Sequence, residues 1–171
     1  MRDSLEQELQ SLLKLLGEMT ALHEAWLPLC VEKRKALAAA NADRLNEICR
    51  RENEKLQRVG EMEKRRLSLV ASLTRRLDPG AKAPMKMVDL AEALPEPQRG
   101  NLLIARQQLR ERISEVKTQS SIARRATESL MKHMGSLVQS VATAATGGST
   151  YTQRGATATA RMTLSSMNMT A

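Results

Sequence analysis

Apolar residues that recur alternately four and three apart, over three long stretches, constrain this chain more than anything else in it. Leu5, Leu9, Leu12, Leu16, Met19, His23, Trp26 and Cys30 step 4-3-4-3-4-3-4, and on a helix such steps stack the side chains into one stripe. Leu37 continues the stripe after a charged interruption. In the second stretch Leu45, Cys49, Leu56, Val59, Val70, Leu73 and Leu77 fall on a similar seam, flanked by Ile48, Met62 and Leu69 and interrupted by Glu52, Glu63 and Arg66. The third runs Leu102, Leu109, Ile113, Val116, Ser120, Ala123, Thr127, Leu130, Met134, Leu137, Val141 in steps that sum to heptads. A sustained repeat of this kind implies helices that wrap on one another.

Composition agrees with that reading. Hydrophobic residues make up 42% of the chain but aromatics only 1%, with no phenylalanine. Compact cores lean on aromatic side chains for buried area, whereas a long, thin hairpin can be zipped by Leu, Met, Val and Ala. The expected fold is therefore all-α: an elongated antiparallel helical hairpin plus a third long helix in a coiled-coil-like bundle.

Local signals place the boundaries. The first helix is expected from about Asp3 or Ser4 to about Ala40, with Ser4 and Gln7 at capping-box spacing. Pro28 lies inside it and predicts a bend near Glu24 to Pro28 without a break, because the stripe continues in phase. Asn41 or Asp43 is suited to cap the second helix, which runs to about Leu77 and stops at Asp78-Pro79-Gly80. A short amphipathic helix is expected between Pro84 and Leu94, and the last long helix from around Pro95 to Arg99 to about Ala142. Residues 1–142 thus form the helical domain. From Thr143 the composition turns to Thr, Ala, Gly and Ser, which buries too little to offset ordering entropy, so residues 143–171 are expected to be a disordered C-terminal tail.

The net charge is +8, which raises nucleic acid or an anionic membrane as partners. The basic residues are mixed with acids along the helices, as in Glu47 to Arg51, Glu54 to Arg58, Glu61 to Arg65 and Glu128 to Lys132, a pattern of solvated helix faces. The stacking aromatics of single-strand binders are missing. Cys30 and Cys49 lie on their stripes and read as buried free thiols. The charged, interrupted start is neither a secretory signal nor a membrane span, and a cytoplasmic location is expected.

Little in the chain suggests catalysis. There are two histidines, neither in a Glu-x-x-His pair, and the cysteines lack ligand partners at zinc spacing. Gly147-Gly148 has neither the lysine nor the strand context of a phosphate loop. The expectation is a non-enzyme with no metal and no cofactor. A binding face is better supported: Leu130, Met131, Met134, Leu137, Val138 and Val141 form an apolar strip with two methionines, which adapt to varied partners. The same residues also suit packing on the first helix near Leu5 to Leu16.

The Leu-rich opening Leu5-x3-Leu9-x2-Leu12-Leu13-x2-Leu16-x-Glu18, the pair Glu63-x-x-Arg66 on the second helix and the tail motif Tyr151-x-x-x-Gly155 together resemble the FlgN family of flagellar type III export chaperones. The resemblance implies a cytoplasmic chaperone that binds the C-terminal amphipathic helix of flagellar hook-filament junction proteins, keeps them unassembled and delivers them to the export gate. It implies gate docking through Tyr151, and the register of Leu130, Met134, Leu137 and Val141, widened by Met131 and Val138, makes that strip the expected client-binding face. The mixed charges and the lack of a long apolar run predict no nucleic acid partner and no stable membrane insertion. The alternatives are a self-associating coiled-coil adaptor and a basic nucleic-acid or membrane-surface binder.

Overall fold

Along residues 2–145, the part of the chain that the computed structural model describes, five helices follow one another: α1 (Arg2–Glu24), α2 (Leu27–Ala38), α3 (Ala42–Leu77), α4 (Met87–Glu92) and α5 (Gln98–Ala145). The chain divides into two compact units, Met1–Glu128 and Ser129–Ala171, and α5 contributes to both. The protein is all-α, as the spacing of its apolar residues implies.

The first expected helix is two helices. Pro28 has no N–H to give to the Glu24 carbonyl and its ring crowds that carbonyl, so the chain leaves the helix at Ala25 and Trp26. Trp26 N–H closes a tighter turn onto the His23 carbonyl at 3.0 Å, and α2 reopens with Pro28 in its first turn, where proline is tolerated. The expected bend is therefore a break, although the stripe stays in phase across it: His23, Trp26 and Cys30 are all buried. At the other end α1 begins at Arg2, so Ser4 lies inside its first turn instead of capping it.

The turn between α2 and α3 closes by a reciprocal pair of bonds. Asn41 N–H donates to the Ala36 carbonyl at 3.0 Å and Ala40 N–H to Leu37 at 3.1 Å, the Schellman arrangement that needs a left-handed residue. Ala40 takes that conformation at φ 48°, where its Cβ costs about 1 kcal/mol or more. Ala40→Gly is expected to stabilise the protein by roughly 0.5 kcal/mol after the extra chain entropy of glycine is set against the relief, read from the midpoint of a urea melt. Asn41 then caps α3, its side-chain oxygen accepting from Arg44 N–H at 2.9 Å.

Helices α1 and α2 run antiparallel to α3. Arg76 pairs with Glu8 at 2.8 Å near the start of α1, whereas Lys33 of α2 meets Glu52 at 2.6 Å. Helix α5 runs back in the direction of α1 and α2: Arg112 reaches Glu24, and Ser120 lies 3.6 Å from Cys30. Between these helices Leu9, Leu12, Leu16 and Met19 of α1 pack with Met62, Val70 and Leu73 of α3, Leu90 and Ala91 of α4, and Leu102 and Leu109 of α5. Trp26, Leu29, Cys30 and Val116 form a second cluster. Thr74, buried on α3, ties down the chain that leads to α4: its hydroxyl donates to the Val70 carbonyl at 2.8 Å and accepts from Met85 N–H at 3.0 Å.

The face that α3 buries differs from the expected seam. Ile48, Met62, Val70 and Leu73 are buried, but Leu56 and Cys49 are exposed. At about 100° per residue, Cys49 and Leu56 stand roughly a quarter turn away from the line through Ile48, Val59, Met62 and Leu73. Both thiols are free, with Cys30 buried and Cys49 exposed, which corrects the expectation that both are buried. Arg51 faces α2, where it reaches Glu32 at 3.5 Å, so it does not form the expected pair with Glu47, which Arg44 takes.

Candidate functional site

The strip singled out in the sequence lies on α5 in the second unit. Met131, Met134, Leu137, Val138 and Val141 are exposed, Met131 by 68% and Val141 by 66%, and Leu130 is half-buried. On the same helix Leu102 is 0% exposed and Leu109 and Val116 are buried. Within the first unit, Leu9, Leu12 and Leu16 of α1 are packed with Leu102 and Leu109.

The strip is built for apolar contact. Leu130, Met134, Leu137 and Val141 follow the 4-3-4 steps of a single face, and Met131 and Val138 widen it. The hydroxyls nearby turn back onto their own helix: Ser136 donates to the His133 carbonyl at 2.7 Å, Ser140 to Ser136 at 2.9 Å and Thr143 to Gln139 at 2.8 Å. Specificity on such a surface comes from the spacing and shape of apolar anchors, and thioether side chains adapt to more than one shape. Tyr151, the other site residue read from the sequence, lies outside the described residues.

A second feature from the sequence, Glu63-x-x-Arg66, is a two-pronged ion pair on α3. Arg66 donates through Nε to Glu63 Oε2 at 2.8 Å and through Nη2 to Oε1. The pair lines an open groove with Leu16, Met19, Met87, Leu109, Ile113, Arg106 and Arg110. The hydrogen bonds from Arg66 hold the Glu63 carboxyl below its ordinary range, with burial working the other way and the cation's attraction helping. Because the folded value lies below the unfolded one, the stabilisation is present above the ordinary value of 4.5 and is lost as pH falls through the lower folded value. Glu63→Gln is expected to cost less than about 1 kcal/mol at neutral pH, since the pair is partly solvated, and the difference from the wild type should vanish in acid. Urea melts of both proteins across the acid range check this; a gap of constant size would assign the loss to packing instead of charge.

Among the described residues no group of three or more His, Cys, Asp or Glu side chains is placed to hold a metal ion, and no helix is long and apolar enough to cross a membrane. Thr74 had no signal in the apolar pattern; its position four residues after Val70 and three before the end of α3 is the only hint that it serves the turn beyond.

Comparison with curated proteins and with solved structures gave no match. The family model described as FlgN protein matches residues 1–159, which takes in all five helices, the exposed strip on α5 and the segment that carries Tyr151. A Leu-striped helical hairpin, a long last helix with an open apolar strip and a family match over most of the length lead to one statement: the chain belongs to the FlgN family of flagellar export chaperones.

Proposed function

We propose that this chaperone works in the cytoplasm, where it takes the C-terminal amphipathic helix of a hook-filament junction protein onto the α5 strip of Leu130, Met131, Met134, Leu137, Val138 and Val141. Holding that helix keeps the subunit unassembled until it is delivered to the export gate. The observation that carries the reading is the exposure of five of these six side chains, on a helix whose earlier stripe of Leu102, Leu109, Val116 and Ala123 is buried. An amphipathic client helix covers such a strip by helix-in-groove contact, with anchors at i, i+3, i+4 and i+7. Its burial is driven by the apolar area removed from water, so the complex should survive high salt.

Co-purification of the full chain with the C-terminal helices of hook-filament junction proteins, at low and high salt, tests the reading. A one-to-one complex that persists in high salt supports it. A self-associated chain that takes up no client helix would point to the structural adaptor. Gate docking is assigned to Tyr151: Tyr151→Ala is expected to lose binding to the export gate while client binding persists, as measured by pull-down against each partner separately. Parallel loss of both, or of neither, would remove that assignment.

A further inference from the structure

The cations of α5 that precede the apolar strip fall into one row. Arg99, Arg106, Arg110, Lys117 and Arg124 step 7-4-7-7, so they share a helix face roughly a quarter turn from the buried line of Leu102, Leu109 and Val116. Leu103, Ser114 and Ser121 fill the gaps, and no carboxylate enters the row before Glu128. Arg99, Arg110, Lys117 and Arg124 are exposed and Arg106 is half-buried. Among the described residues the only ion pair in the row is that of Arg124 with Glu128, at 3.6 Å. The neighbouring carboxylates are engaged elsewhere: Glu63 by Arg66, Glu115 and Glu24 by Arg112, and Glu111 by the Gln107 amide. The first unit therefore carries four unpaired cations in a line.

We propose that this row is a second protein-docking surface, and that its partner is an acidic α-helix with carboxylates at the same 7-4-7-7 spacing lying alongside α5. The repeat decides among anionic partners. Cations one heptad apart are about 10.5 Å apart along the axis, which matches a neighbouring helix of the same pitch. Duplex nucleic acid presents a charge roughly every 1.7 Å of axis. A bilayer surface calls for a basic face with an apolar wedge beside it, but Leu103, the one apolar side chain in the row, is packed against the core. The surface is distinct from the strip at residues 130–141, so client binding can be measured independently.

The test uses the full chain and a synthetic helix of Ala and Gln with Glu at 7-4-7-7 spacing, against a peptide of the same composition with its Glu spread around the helix. Fluorescence anisotropy at low salt is expected to show the registered peptide binding about tenfold or more tighter, an advantage that fades as salt screens it. Arg110→Glu with Lys117→Glu, at two exposed positions, should abolish the preference with circular dichroism and client-helix binding unchanged. The same variant should instead prefer a peptide in which only the third and fourth Glu, those opposite positions 110 and 117, are replaced by Lys. The neutral pair Arg110→Gln with Lys117→Gln should lose the preference without reversing it. Equal binding of the two Glu peptides would overturn the proposal, as would tighter binding of a duplex RNA oligonucleotide or of anionic phospholipid vesicles.

Discussion

Exchanging Met134 and Leu137 together for glutamate is expected to weaken binding of the junction-protein helix by a hundredfold or more. Both side chains are more than half exposed in the free chain and stand three residues apart in the middle of the strip. Central apolar anchors of a helix interface each contribute roughly 2 kcal/mol, so losing two of them removes on the order of 4 kcal/mol before the cost of desolvating a carboxylate is added. The fold should be indifferent to the change. Glutamate is a good helix former, and the strip carries no buried side chain that the substitution would displace, since only Leu130 of the six is even half-buried. Isothermal titration with the client helix, alongside circular dichroism, separates the two effects. Undiminished affinity with intact helicity would move the client site off this face.

Leu12→Ala is expected to do the reverse, leaving the strip intact and undermining the unit that bears the hairpin. Leu12 is 0% exposed and sits in the cluster with Leu73, Leu90 and Leu102, each also 0% exposed. Truncating such a side chain removes its transfer free energy and leaves a cavity, about 2–5 kcal/mol in all, which is a large share of the roughly 5–15 kcal/mol that holds a typical domain. The control is Leu56→Ala on α3. Leu56 is 54% exposed, and the change should move stability by no more than about 0.5 kcal/mol. Urea unfolding of the two variants should therefore differ by several-fold in the loss of stability, and similar losses would contradict the packing described above.

These two leucines also mark where the sequence could be read and where it could not. The α1 stripe was legible because every position in its 4-3 pattern is apolar or, like His23, able to satisfy its polar atom locally: His23 Nδ1 lies 2.7 Å from the Met19 carbonyl. On α3 the buried line passes through Glu52, Lys55 and Arg66, none of them exposed in full. Glu52 is met there by Lys33 and Arg66 by Glu63, and long charged side chains cover apolar surface with their stems while their heads stay solvated. A reading that follows apolar letters skips these positions and settles on Cys49 and Leu56, a quarter turn away. Pro28 was visible as a disturbance, but the choice between bend and break depends on whether the next turn can start with proline inside it, which is a matter of backbone geometry. The apolar strip on α5 was legible from its spacing. Its exposure was one of two readings there, because Leu109 and Leu137 sit in the same pattern and only the structure separates the buried one from the open one.

Methyl NMR of the chain with methionine as the probe is the measurement that tests the central claim most directly. Met131 and Met134 lie on the strip and are exposed, whereas Met19 and Met62 are buried in the core of the first unit. On addition of the client's C-terminal helix, the account predicts that the Met131 and Met134 methyl signals shift and saturate at one equivalent while those of Met19 and Met62 stay in place. Saturable binding that leaves Met131 and Met134 untouched would contradict it.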